Sequence, residues 1–248
     1  MISSKKLKRW FFVMEEALFD GYAQDYDEWF VANEKVFLSE LGLLKTSLGD
    51  HPGRTLSIGS GSGLFEQALC KQTGIEVSEG VEPSKDMAAI GTKRGMKVQI
   101  ASAETAELPA EAYDTIYFNG SSSYIADLAV AYGHVAASLK SGGRLILLDV
   151  PKESAYGMLY MLANALGGYQ DSRLTGALPK VPYPEEFLNL AYWHTTPEKA
   201  AVLTSLGFDN LTYYQTLLAN PVYTDQKIED TVPGFDKGGY VAIIAVKK

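Results

Sequence analysis

The stretch Leu56-Ser57-Ile58-Gly59-Ser60-Gly61-Ser62-Gly63 places three glycines between an apolar strand candidate at residues 55–58 and a helix candidate at residues 64–72. Glycine permits a tight turn and lets a ligand approach the main-chain N–H groups closely. The N-terminus of the following helix adds partial positive charge, which favours an anionic group. A glycine-rich turn between a strand and a helix therefore indicates a nucleotide-type ligand site.

The stretch Gly80-Val81-Glu82-Pro83-Ser84 ends the next strand candidate, at residues 76–81, and places Glu82 19 residues after Gly63. That separation is typical of a carboxylate that accepts hydrogen bonds from both hydroxyls of a ribose. The alternative is that Glu82 caps the helix predicted to begin near Ser84, but the glycine turn favours ribose binding. The third glycine follows the second by two positions and no Gly-Lys-Ser/Thr follows, which fits neither a dinucleotide fingerprint nor a Walker A loop.

Strand and helix candidates alternate along most of the chain. Beyond the two strands above, strand candidates span residues 97–101, 113–118, 144–150, 208–218 and 240–246, and helix candidates span 84–94, 125–139 and 196–206. A turn is predicted at 141–143. Strands separated by helices predict a seven-stranded, mostly parallel, Rossmann-like α/β sheet with helices on both faces. We also expect a helical N-terminal segment at 1–50 and a helical cap at 152–195, within a single domain spanning 1–248.

Composition and charge exclude several function classes. The chain carries 22 Lys+Arg against 30 Asp+Glu, and its net charge of −8 suits a phosphate backbone poorly, so we expect no nucleic-acid partner. Cys70 is the single cysteine, and no Cys/His cluster has metal-ligand spacing, so we expect no metal site. No apolar run reaches the roughly 18 residues of a membrane span, and Glu15 and Glu16 end the run at 10–14 too early for a signal peptide. A cytoplasmic location is the expectation.

Further motifs accompany the two described above. They are residues 26–30 (Tyr-Asp-Glu-Trp-Phe), 58–63, 81–84 with Met87, 102–104 with 108–109, 113–116 and 139–145. In this order the set resembles the motifs of class I S-adenosylmethionine (SAM)-dependent methyltransferases that act on small molecules, and it covers roughly residues 20–150. The resemblance implies SAM as the cofactor and methyl transfer as the activity.

The resemblance also implies these cofactor-binding residues: Tyr22, Tyr26, Gly59, Ser60, Gly61, Gly63, Glu82, Pro83, Met87, Ala103, Glu104, Asn119 and Gly120. The glycines would face the methionine part of SAM, Glu82 would hold the ribose hydroxyls, and Met87 would pack on the adenine. Ala103, with Glu104 beside it, would supply a backbone contact near the adenine. Asn119 and Gly120 would lie near the transferable methyl group. The two tyrosines would close over SAM, because an aromatic face attracts the sulfonium cation.

Two positions depart from the family pattern. Ser57 stands where an acidic residue is usual, and Ser102 stands where Asp is usual. Both changes remove a polar contact to the cofactor. An alternative function therefore stays open, that of a SAM-binding protein that senses or sequesters SAM without methyl transfer. The glycine spacing disfavours a nicotinamide oxidoreductase and the acidic charge disfavours a nucleic-acid methyltransferase, whereas a protein substrate stays open.

Methyl transfer from a sulfonium is an in-line displacement in which the protein mainly aligns the reactants and excludes water. A general base is needed only for a protonated acceptor, and His194 and Tyr124 are the candidates. Aromatic residues are frequent in the predicted cap and either build its core or face the acceptor; they are Tyr156, Tyr160, Tyr169, Tyr183, Phe187, Tyr192 and Trp193. We expect a small-molecule acceptor that is aromatic or largely apolar. The sequence predicts neither the methylated atom nor the oligomeric state.

Overall fold

The computed structural model describes residues 17–248, and an eight-stranded sheet forms its centre. The strands are β1 (Thr55–Ile58), β2 (Glu79–Val81), β3 (Lys97–Gln99), β4 (Tyr113–Asn119), β5 (Leu139–Asp149), β6 (Phe208–Thr216), β7 (Val232–Pro233) and β8 (Tyr240–Lys247). Strands β1 to β5 are parallel, β8 runs antiparallel to β5 and β6, and β7 runs antiparallel to β6. The predicted mostly parallel α/β sheet is confirmed, with the two-residue β7 added at one edge.

The strand order across the sheet is β3-β2-β1-β4-β5-β8-β6-β7. From β1 the chain moves outward through β2 to β3, and it then returns to form β4 on the other side of β1. The loops that leave the carboxyl ends of strands on the two sides of such a reversal diverge, and ligands bind in the crevice between them. The glycine-rich turn after β1 and the ends of β2 and β4 meet at this crevice.

Helices flank the sheet within residues 17–248. They are α1 (Ala23–Ala32), α2 (Glu34–Leu48), α3 (Leu64–Thr73), α4 (Lys85–Lys93), α5 (Leu128–Ala136), α6 (Ala155–Leu166), α7 (Glu185–Leu188) and α8 (Thr196–Ser205). Among the described residues, none of these helices is both long and apolar enough to cross a membrane.

The first two helices supply the predicted N-terminal helices, but the chain before them is a turn. Residues 17–22 are not helical, because the Asp20 carboxylate accepts a hydrogen bond from the Ala17 N–H and Gly21 adopts a φ of +83°. The prediction of helix for residues 1–50 is therefore wrong at 17–22. Its first part, residues 1–16, lies outside the described residues.

Alternation along β4 divides the core into two clusters. Successive side chains of a strand point to opposite faces. Ile116 and Phe118 pack with side chains of α5 and α8, whereas Tyr117 packs in a cluster with side chains of α2, α3 and α6. The predicted helices on both faces are confirmed. The boundaries of a single domain over 1–248 stay a prediction.

Strand β5 begins earlier than its sequence indicates. The predicted turn at 141–143 lies inside β5, and the pairing of β4 with β5 shifts register between Tyr113 and Thr115. Gly142 adopts a φ of +74°, and a Cβ on Gly143 would lie 2.8 Å from the Lys140 carbonyl oxygen. The two glycines therefore permit the register shift within β5, at residues where the sequence predicts a turn between elements.

Residues 152–195 connect β5 to α8 and contain α6 and α7. Ser154 caps the N-terminus of helix α6, because its hydroxyl accepts a hydrogen bond from the Gly157 N–H. Tyr156, Tyr160, Tyr169 and Phe187 are buried, whereas Tyr192 is exposed. The first three belong to the same apolar cluster as the α2 side chains, which places most of the aromatic residues of this segment in the core.

Candidate active site

The glycine-rich turn has the backbone geometry that its composition predicts. Gly59, Gly61 and Gly63 have φ values of +66°, +55° and +73°, a region that favours glycine. A Cβ on Gly59 would collide with the Cβ of Ser121, and a Cβ on Gly63 would lie 2.7 Å from Sδ of Met96. The Gly61 position is open by comparison. Packing against Ser121 therefore requires glycine at position 59, the third glycine faces the flexible Met96 side chain, and the second leaves free space.

Glu82 lies at the end of β2, beside the turn. Its Oε2 accepts a hydrogen bond from the Gly61 N–H and its Oε1 accepts one from the Ser84 N–H, each at 2.8 Å. Burial raises the pKa of Glu82 to about 7, although the two N–H groups act in the opposite direction. Each oxygen keeps a lone pair for a further donor. The side chain can therefore hold the two hydroxyls of a ribose, one on each oxygen.

A cavity lies over the carboxyl ends of β1, β2 and β4. Of the predicted cofactor residues, those that line it are Tyr26, Gly59, Gly61, Glu82, Pro83, Met87, Ala103, Glu104, Asn119 and Gly120. Ser102 also lines it, and its hydroxyl lies 3.0 Å from the Thr105 hydroxyl. No Lys, Arg or His side chain of the described residues contributes to the lining. The cavity thus combines glycine backbone, two carboxylates and apolar surface.

Three predicted cofactor residues lie outside this lining. Tyr22 is partly exposed and packs its ring against Phe187, with the centroids 5.6 Å apart. The Ser60 hydroxyl is buried against Gly80 on β2, because a Cβ on that glycine would lie 2.6 Å from Ser60 Oγ. Gly63 immediately precedes α3 and packs towards Gly91 of α4. The roles of these residues in binding SAM stay predictions.

The two candidate bases occupy different surroundings. Tyr124 lines the cavity, and its hydroxyl lies 3.1 Å from that of Tyr183. Burial raises the pKa of Tyr124, so the phenol is protonated at neutral pH. His194 is not among the lining residues. Its Nε2 is buried without a partner among residues 17–248, and burial together with Lys199 lowers its pKa. Of the two, only Tyr124 is placed beside the cavity.

Several lining residues were not predicted. They are Ala17, Leu18, Phe19, Ile58, Ser84, Ser121 and Ile125, besides Ser102. The Phe19 ring lies 4.9 Å from Tyr124 and 4.7 Å from Phe187, so the turn before α1 forms a wall against the cap. Ser121 donates a hydrogen bond to the Ile58 carbonyl oxygen at 2.8 Å. For these residues the sequence contains one indication of a place at the cavity, which is the position of Phe19 shortly before the aromatic motif at residues 26–30.

Polar contacts fix the N-terminal segment, residues 17–32, to the glycine-rich turn and to helix α4. One Asp27 oxygen accepts a hydrogen bond from Ser62 of the glycine turn, and the other pairs with Arg94 at 2.7 Å. Ser84 donates to the Asp20 carboxylate, and the Gly21 N–H donates to Asp86. Each contact joins residues more than 30 positions apart, so the segment depends on the folded sheet for its position.

Ser57 forms a hydrogen bond with a carboxylate that the sequence did not indicate. The Ser57 hydroxyl donates to the Glu66 carboxylate at 2.7 Å, and the Tyr117 hydroxyl donates to the same oxygen at 2.6 Å. Burial raises the pKa of Glu66, while the two hydroxyl donors act to lower it. A carboxylate therefore lies beside the end of β1 although position 57 is Ser.

Comparison with known proteins identifies the family. A family described as "Methyltransferase domain" matches residues 33–211. An uncharacterised protein of Methanocaldococcus jannaschii is 31% identical over 230 residues, which cover 93% of this chain and 98% of that protein. The glycine turn and strands β1 to β5 lie within the matched residues, whereas most of β6 and all of β7 and β8 follow them.

Solved structures agree with the sequence match. A SAM-dependent methyltransferase from Thermotoga maritima, described as a possible histamine N-methyltransferase, has a TM-score of 0.78 and 28% identity over 93% of this chain and 99% of that one. A geranyl diphosphate C-methyltransferase from Streptomyces coelicolor A3(2), solved with S-adenosyl-L-homocysteine, shares the fold, with a TM-score of 0.58 and 18% identity over 84% of this chain and 77% of that one. The Glu82 carboxylate, the glycine turn and Met87 also suit an adenosyl group. The chain therefore belongs to the methyltransferase-domain family, within the class I SAM-dependent methyltransferases, and S-adenosylmethionine is its cofactor.

Proposed function

We propose that this methyltransferase transfers the methyl group of SAM to a small-molecule acceptor that is aromatic or largely apolar. The observation that carries the proposal is the wall of the cavity. Phe19, Tyr26 and Tyr124 lie around it, and the N-terminal segment that holds the first two covers the crevice beside the cap. Such a wall favours a small acceptor with an apolar body, because aromatic side chains supply most of the contact area.

We assign the roles of the cofactor residues by their places around the cavity. Glu82 would hold the ribose, Met87 would pack on the adenine, and Asn119 with Gly120 would border the end that carries the methyl group. Tyr26 would face the sulfonium, which an aromatic ring attracts. SAM supplies an activated methyl: its sulfur–methyl bond breaks as an acceptor lone pair bonds to the carbon, leaving S-adenosylhomocysteine. The chain aligns the two and excludes water.

The first test is a calorimetric titration with SAM and, separately, with NAD. Wild-type protein should bind SAM and not NAD. Glu82→Ala should weaken SAM binding sharply because the ribose loses both acceptors. Glu76→Ala, which removes an exposed carboxylate before β2, is the matched control and should bind SAM like the wild type. Equal SAM affinities for Glu82→Ala and Glu76→Ala would contradict the ribose assignment.

The acceptor is tested by release of S-adenosylhomocysteine from a panel of small aromatic and apolar compounds and from RNA and unfolded protein. Release only with small compounds supports the proposal, whereas release with RNA or protein alone contradicts it. The absence of a nucleic-acid partner and a cytoplasmic location stay predictions from the sequence. The acidic net charge of −8 supports the first of them.

The general base is tested with Tyr124→Phe and His194→Ala. Tyr124 lines the cavity, but its phenol is protonated at neutral pH and cannot accept a proton there, so Tyr124→Phe should lower turnover only if the hydroxyl hydrogen-bonds the acceptor. His194 lies outside the lining, and its replacement should leave turnover unchanged. Full turnover in both variants would show that neither residue acts as the base.

A further inference from the structure

Two tyrosine hydroxyls meet where the loop after β4 faces the cap, residues 152–195. Tyr124 belongs to that loop and lines the cavity, and Tyr183 lies between α6 and α7. Their hydroxyl oxygens are 3.1 Å apart, within hydrogen-bond distance. Residues 120, 121 and 125 of the same loop also line the cavity, directly after the Asn119 that we assign to the methyl end. Tyr124 therefore lies on the side of the cavity that is left for the acceptor.

The contact between the two tyrosines leaves one hydroxyl hydrogen without an acceptor. A tyrosine hydroxyl has one hydrogen and two lone pairs, so one member of the pair donates and the other accepts. Neither hydroxyl forms another hydrogen bond among residues 17–248. Burial raises the pKa of both Tyr124 and Tyr183, so both hydrogens are present at neutral pH. The pair can therefore donate one further hydrogen bond, and Tyr124 is the member that faces the cavity.

Aromatic rings surround this polar pair. The Phe19 ring lies 4.9 Å from that of Tyr124, edge to face, and the Phe187 ring lies 5.6 Å from that of Tyr183. The Trp29 ring lies 5.1 Å from Tyr183 on the other side, also edge to face. A hydrogen-bonding group placed in an apolar wall fixes the orientation of a bound ligand and provides specificity. The hydroxyl pair is such a group.

The loop that carries Tyr124 is held firmly from below. Three consecutive serines precede Tyr124, and each is hydrogen-bonded to a different part of the fold. The bonds join Ser121 to the Ile58 carbonyl oxygen, Ser122 to the Tyr132 hydroxyl of α5 and Ser123 to the Asp149 carboxylate of β5, at 2.8, 2.8 and 2.9 Å. A donor that is already held in place loses little entropy when a ligand binds. The Tyr124 hydroxyl is therefore preorganised for a ligand.

The surroundings of the pair favour a neutral oxygen as its partner. A protonated amine has no lone pair and cannot accept a hydrogen bond from Tyr124. An anionic group would find no Lys, Arg or His side chain in the lining that residues 17–248 provide, and burying it would be costly. A hydroxyl or carbonyl oxygen has the lone pair and carries no charge.

We propose that Tyr124, oriented by Tyr183, donates a hydrogen bond to the acceptor, so that the acceptor is a neutral aromatic compound with a hydroxyl or carbonyl oxygen. This inference rests on the proposed methyl transfer to a small molecule. The ring of the acceptor packs on the aromatic wall, and its oxygen accepts the free hydrogen of the pair. A hydrocarbon of the same shape leaves that hydrogen unpaired and is bound less tightly. Tyr124 thus determines specificity, and Tyr183 is a positioning residue that acts through it.

The test compares oxygen compounds with hydrocarbons of the same shape. Protein saturated with S-adenosylhomocysteine is titrated with 4-methylphenol against p-xylene, with acetophenone against α-methylstyrene, and with 4-methylbenzylamine as a cationic probe. The variants are Tyr124→Phe and Tyr183→Phe, which remove one hydroxyl each and keep the ring. The control is Tyr223→Phe, the same change at a residue that is 57% exposed and outside the cavity lining. S-adenosylhomocysteine affinity, measured first for all four proteins, verifies that the variants are folded.

We expect wild-type protein and Tyr223→Phe to bind at least one oxygen compound more tightly than its hydrocarbon, by about tenfold. This preference should disappear in Tyr124→Phe and become smaller in Tyr183→Phe. An unchanged preference in Tyr124→Phe, or wild-type binding of neither oxygen compound above its hydrocarbon, overturns the subsite. Tighter binding of 4-methylbenzylamine than of both oxygen compounds also overturns it. An unchanged preference in Tyr183→Phe overturns the positioning role.

Turnover separates the failure of this subsite from the failure of the proposed function. The same compounds, and the wider panel of small compounds, are incubated with SAM, and release of S-adenosylhomocysteine is measured. Release with neutral oxygen compounds that falls in Tyr124→Phe and not in Tyr223→Phe supports the subsite. Release only with compounds that lack a neutral oxygen overturns it and leaves methyl transfer intact. No release with any small compound contradicts the proposed function itself.

Discussion

Replacing Gly61 by Ala tests whether the glycine turn lies against the cofactor. An added Cβ would meet Sδ of Met87 at 4.0 Å and no closer atom, so the methyl group enters the cavity beside Met87, the residue that we propose packs on the adenine. With φ at +55°, the backbone costs a non-glycine residue about 1–2 kcal/mol, which lowers the Tm by about 2–8 °C. Overpacking against the bound cofactor costs a further ~1–3 kcal/mol, so the Kd for SAM should rise by about 5- to 150-fold.

Gly74→Ala is the matched control for this substitution. Gly74 follows α3 with a φ of +75°, and no atom lies within 4 Å of an added Cβ. The same backbone cost should lower the Tm by a similar amount and leave the Kd for SAM unchanged. Thermal unfolding and calorimetric titration of both variants separate the two effects. A Kd for Gly61→Ala equal to that of the wild type would refute the placement of Gly61 against SAM.

The remaining predictions concern ionisable groups. Because burial raises the pKa of Glu82 to about 7, and the ribose hydroxyls need the ionised carboxylate, SAM binding should weaken as the pH falls through 7. The Kd should rise about tenfold between pH 8 and pH 6, and Glu82→Gln should show no such change in calorimetry across that range. Lys199→Met leaves the Asp149 charge buried and unpaired, which should lower the free energy of unfolding by about 3–5 kcal/mol in urea titrations. Lys140→Met, which breaks the exposed pair with Asp114, should cost about 0–1 kcal/mol, and equal losses would contradict this account.

Much of the fold follows from local sequence because buried parallel strands need continuous apolar runs and turns need glycine. The parallel strands at 55–58 and 113–118 were predictable on this basis, and the antiparallel β8 at 240–246 was predictable from its own apolar run. Strand β7 was not, since two residues carry no periodicity and pair with β6 only in the folded sheet. Residues 141–143, predicted as a turn, lie in β5 because of pairing in the folded sheet as well. Its glycines serve the pairing of β4 with β5, which local sequence does not record.

The residues of the candidate site also fall into those that the sequence predicted and those that it did not. Two residues at strand ends line the cavity as predicted: Glu82 was placed by counting along the chain, and Asn119 by the resemblance to class I methyltransferases. Phe19 and Ser121 reach it through contacts with distant elements, which spacing does not reveal. The interpretation of Ser57 missed a carboxylate for the same reason, because Glu66 approaches it from the facing side of α3.

Two parts of the chain line the cavity, and one of them is the N-terminal segment. The ends of β1, β2 and β4 lie within the matched methyltransferase region, residues 33–211, whereas Ala17, Phe19 and Tyr26 precede it. Of these three side chains, Tyr26 also packs against the apolar cluster on one face of the sheet. A chimera that exchanges residues 17–32 between homologues would keep the cofactor floor and replace one wall. We expect such an exchange to change acceptor choice, and to preserve SAM binding only where Asp20, Tyr26 and Asp27 are retained.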